Sequence, residues 1–237
     1  MWNRIMLKSN AKLALNGRYW VAFAVCLVSV LLGASYNIVM QGHYRIQSTP
    51  VPIGSQFADT LFSIFVAMPL VIGMCRFFLH NHFGKTEFRT VFSGFQLNYS
   101  NGVGAIFITN LYIALWTLLL IIPGIIKGLE YSMVPFLLAD NPSLPGSRAR
   151  EISSQMTYGQ KWDIFVLHLS FLGWFLLGAL CFGVGTLFVV PYYMATMTEL
   201  YICRRDYAID ANMLNPAELG LVPPAPESQP PVSPSGY

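Results

Sequence analysis

Apolar positions in this chain fall in long unbroken blocks, and polar residues collect between the blocks instead of alternating at strand or helix spacing. Charge-free runs locate the blocks, because an Asp, Lys or Arg at mid-bilayer costs roughly 2.5 to 3.5 kcal/mol on insertion scales. Arg18 and Arg45 enclose 26 such residues, within which 20–36 make a first membrane span. Asp59 and Arg76 bracket 16. That is about 24 Å of helix, so both charges reach headgroups from the ends of a second span at 57–79. No charge occurs between Arg89 and Lys127, and the dense part, 104–122, is a third span stopped by Pro123-Gly124. A short, partly polar fourth span follows at 125–139, with a re-entrant loop as its alternative. The 35 uncharged residues from Ile164 to Thr198 would form a helix of about 52 Å against a hydrocarbon core of about 30 Å. They must fold back, and Gly183-Val184-Gly185 is the natural break between a fifth span at 162–181 and a sixth at 186–203.

The expected fold class is therefore an all-α membrane protein of about six transmembrane helices, arranged as three hairpins with interfacial amphipathic helices. The membrane domain covers 1–205, and 206–237 is expected to be a disordered Pro-rich cytoplasmic tail, six of the fifteen prolines lying beyond residue 220. Composition agrees: 11% of residues are charged where a soluble domain carries roughly 25%, 54% are hydrophobic, and mean hydropathy is +0.52. A soluble enzyme is excluded. A net charge of +3 is too small to imply nucleic acid as a partner, and it matters through its distribution. With the N-terminus inside, 12 of the 14 basic residues fall on the inner side, only Arg45 and Lys127 lying towards the outside, which places both termini in the cytoplasm.

Three inner segments, 3–16, 87–97 and 144–158, have apolar sides suited to helices lying at the headgroups. Gly17-Arg-Tyr-Trp20-Val-Ala-Phe23 aligns with Gly159-Gln-Lys-Trp162-Asp-Ile-Phe165, and Pro69, Pro135 and Pro191 each fall in the second helix of a hairpin. The pattern suggests a unit of surface helix plus hairpin repeated three times.

The segments Pro123-Gly-Ile-Ile-Lys-Gly-Leu-Glu-Tyr-Ser-Met-Val-Pro-Phe-Leu-Leu-Ala-Asp-Asn-Pro142 and Gly159-Gln-Lys-Trp-Asp-Ile-Phe-Val-Leu-His-Leu-Ser-Phe-Leu-Gly-Trp174 resemble a family of bacterial integral membrane proteins, domain of unknown function 975. The likeness also takes in the start from Leu7-Lys8 to Tyr19 and 91–95. It implies a multi-pass location in a bacterial cell membrane and nothing catalytic. More distantly, a proline-bearing helix, a polar surface helix and an aromatic-led span resemble the membrane domain attached to some glycerophosphodiester phosphodiesterases, which implies only a lipid-facing context.

Few polar residues fall within the spans. Lys127 and Glu130 are three apart, on one helical face, where each lowers the other's burial cost. They read as a local pair near the outer headgroups or as a binding point for an ion or charged headgroup. A lone charge is worse than none, so losing Lys127 alone should cost more than losing both. His168, in the fifth span, reads as an interhelical hydrogen-bonding group or, functionally, as a proton relay. Asp59 and Glu199 read as anchors at opposite faces. Gly124-x-x-x-Gly128, and Gly173 with Gly178, allow close helix approach. The cysteines Cys26, Cys75, Cys181 and Cys203 show no metal or disulfide spacing, and no nucleophile motif occurs, so no catalytic residue, cofactor or metal is expected. The expected function is that of a non-enzymatic envelope scaffold or transporter-associated factor. The alternative is a small transporter or lipid-translocating protein using Lys127, Glu130 and His168. Expected partners are membrane lipids, with other membrane proteins or further copies of this chain.

Overall fold

The computed structural model describes residues 2–31, 63–180 and 184–221. Asp59, Arg45, Cys181, Gly183 and the chain beyond Leu221 lie outside the described residues. All described secondary structure is helical: α1 (Arg4–Leu15), α2 (Tyr19–Leu31), a π turn (Ser63–Ala67) leading into α3 (Met68–His82), a 3-10 turn (Phe88–Phe92) leading into α4 (Ser93–Gln96), α5 (Tyr99–Leu119), α6 (Ile121–Glu130), α7 (Val134–Asp140), α8 (Gly146–Thr157), α9 (Lys161–Leu180), α10 (Val184–Asp210) and a final 3-10 turn (Pro216–Leu219). Three stretches are long and apolar enough to cross a membrane, Tyr99–Leu119, Ile121–Asp140 and Lys161–Leu180, with a fourth if α1 and α2 count as one span. That pair is bent by 97° at the break between α1 and α2.

The junctions before α2, α5 and α9 share one backbone device. Gly17 (φ 73°), Asn98 (φ 45°) and Gly159 (φ 72°) each take a left-handed conformation immediately or two residues before α2, α5 and α9. A cation stands nine residues before each: Lys8, Arg89 and Arg150. The repeat suggested by two glycine-led segments thus extends to a middle unit, where asparagine, the side chain best suited to a left-handed position, replaces glycine. The middle surface element departs from expectation, being a 3-10 turn and a four-residue helix instead of one amphipathic helix. Its tight seat on α3 explains this. A Cβ on Gly73 would sit 1.7 Å from the Val91 carbonyl oxygen, and a Cβ on Gly94 would sit 2.0 Å from that of Pro69.

The three proline-bearing helices form the centre. Along α3 every residue from Met68 to Cys75 is buried, along α7 those from Val134 to Ala139 except Pro135, and α10 is buried from Val190 to Ile202 apart from Tyr192. The helices around them keep exposed apolar sides, as lipid-facing helices do: Trp20, Leu115, Leu118, Trp162, Trp174 and Leu180 are among the exposed large side chains.

Two boundaries differ from expectation for clear reasons. The break between α5 and α6 falls on Leu120, which is extended (φ −156°, ψ 138°), and not on Pro123-Gly124. Pro123 is instead the third residue of α6, where its missing N–H has no helical acceptor to lose. The chain also stays ordered past residue 205. α10 runs to Asp210, Leu214 and Leu219 are buried, and Arg148 binds Glu218 (3.0 Å), so residues up to 219 pack against the helices. Among the paired glycines, Gly124 packs on Thr117 while Gly128 and Gly173 face open space. The closest helix approach in the last hairpin joins Gly178 to Gly185 and Thr186.

Candidate functional site

Glu130 ends α6 and is buried, and its carboxylate is fully engaged. Lys127 Nζ donates to Oε1 at 2.8 Å, Ser154 Oγ donates to the same oxygen at 3.0 Å, and Lys161 Nζ donates to Oε2 at 2.6 Å. The break after α6 creates the socket. Residues 131–133 leave the regular helix, and Ser153 of α8 donates to the freed Glu130 carbonyl (2.6 Å) while accepting the Met133 N–H (3.3 Å). Thr157, one turn on, also reaches that carbonyl. A serine and threonine spaced four apart on the buried side of α8 were the sequence signal for this clasp.

The Lys127 and Glu130 pairing anticipated from spacing is present, but its surroundings are not those expected. Lys161 opens α9 and Ser154 belongs to α8, so the pair sits in a socket between α6, α8 and the start of α9 and is not a purely local contact within one helix. Two aromatic rings flank Lys127: its Nζ lies 5.5 Å from the Tyr131 ring and 5.9 Å from that of Trp116.

Among the described residues His168 makes no hydrogen bond to another helix. Its Nδ1 lies 2.7 Å from the Ile164 carbonyl one turn back in α9, and its ring meets Tyr193 of α10 edge-on at 5.9 Å. It borders a cavity of about 70 Å³ with Asn110, Ser132, Tyr193, Met194 and Met197. Neither Lys127 nor Glu130 borders that cavity, so the three candidate residues divide between two places.

A second polar cluster, unseen in the sequence, ties the ends of the proline-bearing helices together. Asp140 of α7 accepts from Tyr201 (2.6 Å) and Arg205 (3.1 Å) of α10, and Arg76 of α3 donates to the Ala139 carbonyl (2.7 Å). Glu199 is buried against His82 instead of standing alone as an anchor. Partners this far apart in sequence leave no spacing signal, although each charge directly follows the apolar part of its helix. Outside the spans, the hydrogen bonds that Arg148 donates to Glu218 and Glu151 hold its pKa above the ordinary value. Burial, with Arg4 and Lys12 nearby, lowers that of Lys8, whose Nζ sits 4.6 Å above the Phe171 ring.

A helical chain with three apolar helices long enough to cross a bilayer, and a fourth if the bent α1 and α2 count as one span, has the architecture of a membrane protein. Residues 57–203 match the model of the family described as protein of unknown function DUF975, and the chain belongs to that family. No curated protein and no solved structure matches the chain.

Proposed function

We propose that this protein is a non-enzymatic scaffold or accessory factor of a bacterial cell membrane, crossing it six times with both termini in the cytoplasm. The observation that carries the reading is the engagement of both Glu130 oxygens by Lys127, Lys161 and Ser154. A carboxylate with three donors is an internal clamp, and a carrier of protons or ions needs one that can change partners. The distribution of basic residues supports the orientation. Partners in this reading are membrane lipids and other membrane proteins or copies of the chain, engaged through the exposed apolar faces of α2, α5 and α9.

The test sets this against lipid translocation. Reconstituted into sealed vesicles, the protein should not speed exchange of a fluorescent phospholipid between leaflets, nor leak ions, whereas native-lipid particles should retain a fixed complement of membrane proteins. Fast exchange that Glu130→Gln abolishes would instead establish the translocator.

A further inference from the structure

Three helices close a ring of side chains on the surface of the bundle. Arg150 of α8 lies over the Tyr112 ring of α5, its guanidinium carbon 5.3 Å from the centroid. One turn along α5, Trp116 faces Lys127 of α6, Lys127 binds Glu130, Glu130 binds Ser154, and Ser154 is one turn from Arg150 on α8. Lys161 joins at Glu130. Two lysines bind the one carboxylate and Arg150 stands one turn of α8 from its serine partner, so the cluster holds three cations to one anion, a net charge of two positive units.

The charges are unequally served. Glu130 has no free oxygen, while each lysine ammonium has three N–H donors and spends one on it. Among the described residues Arg150 has no acidic partner, and its Nη1 is buried without a hydrogen bond. The equivalent cation of the first unit, Lys8, lies over a fully buried ring, Phe171, and serves as an internal clasp. The Arg150 ring system differs because Tyr112 and Trp116 are 46% and 41% exposed. They lie beside an exposed apolar stripe at helical spacing on α5, formed by Ile108, Leu111, Leu115 and Leu119.

We propose that this ring binds the phosphate of an anionic phospholipid, with Arg150, Lys127 and Lys161 supplying the donors, Tyr112 and Trp116 flanking the headgroup, and the acyl chains lying along the α5 stripe. Surplus positive charge selects an anion, and the continuous apolar stripe selects a lipid over free phosphate. The inference rests on the membrane reading above but not on the scaffold role.

The experiment uses the full chain in detergent, with thermal unfolding and native mass spectrometry as readouts. Added phosphatidylglycerol should be retained and should raise Tm, whereas phosphatidylcholine, inorganic phosphate and soluble glycerophosphoglycerol should do neither. Arg150→Gln should weaken phosphatidylglycerol binding about five-fold, about 1 kcal/mol for one basic residue near an anionic headgroup. Arg150→Lys should keep most of it, and Lys85→Gln, in the loop after α3, should change nothing. Because Arg150 has no acidic partner, its variant should fold normally, which the lipid-free Tm verifies. Equal retention of the two lipids, or undiminished binding by Arg150→Gln, would overturn the proposal. Full competition by inorganic phosphate would reveal a free-phosphate site and equally overturn it. These outcomes leave the vesicle assay for the scaffold role unaffected.

Discussion

Replacing Glu130 by Ala is expected to be among the most damaging single changes in this protein, costing about 3 kcal/mol. Removing one partner of a buried ion pair costs about 3 to 5 kcal/mol. The lower end applies because the side chains left behind, Lys127 and Lys161, are 27% and 31% exposed and can turn towards headgroups. Lys127→Ala should cost only about 1 kcal/mol, since Glu130 retains Lys161 and Ser154. The double change should fall between them, because Lys161 alone then loses its counter-charge. This order reverses the expectation from spacing, in which Lys127 was the sole partner and its loss the worst case. Thermal unfolding of the three purified variants checks it. A Lys127→Ala as harmful as Glu130→Ala would mean that Lys161 contributes nothing to the clamp.

The second large effect comes from a residue without a side chain. Gly73→Ala would drive a methyl to 1.7 Å from a backbone carbonyl, and backbone cannot rotate away, so α3 must part from the Phe88–Phe92 turn. The cost should reach or pass about 3 kcal/mol, the top of the usual overpacking range. Gly94→Ala attacks the same joint from the other side, 2.0 Å from the Pro69 carbonyl, so the pair should be less than additive. Gly104, with nothing within 4 Å of its would-be Cβ, is the control, and Gly104→Ala should stay within about 0.5 kcal/mol of the parent. Yield of folded protein after size-exclusion chromatography separates these cases, and a well-folded Gly73→Ala would refute the close seat of the turn on α3.

What the sequence disclosed and what it hid follow from the range of each interaction. Span ends were legible because solvation of a charge is local. Lys161 opens α9 one residue before the expected start, and the helix continues through Leu180, the last described residue of that stretch. The helices α1 and α8 were legible through their own apolar faces. The turn at Leu120 was misplaced because Pro123-Gly124 punctuates a chain equally well as the first turn of a helix. The Asp140, Tyr201 and Arg205 cluster, the His82 and Glu199 contact and the third partner of Glu130 were hidden, since each joins residues at least 31 positions apart. Gly73 and Gly94 carried no signal at all, because a glycine's reason lies in the backbone opposite it. His168 was singled out for its rarity within a span, yet its ring is occupied by its own helix and a tyrosine edge.

The central claim is that the chain weaves through a membrane as three hairpins that all return to the side of α8. Reporter fusions test it most directly, one placed after Asp206 and one at Gly183. The account predicts a cytoplasmic signal from the first and an exported signal from the second, and the reverse pattern, or the same signal from both, would contradict it.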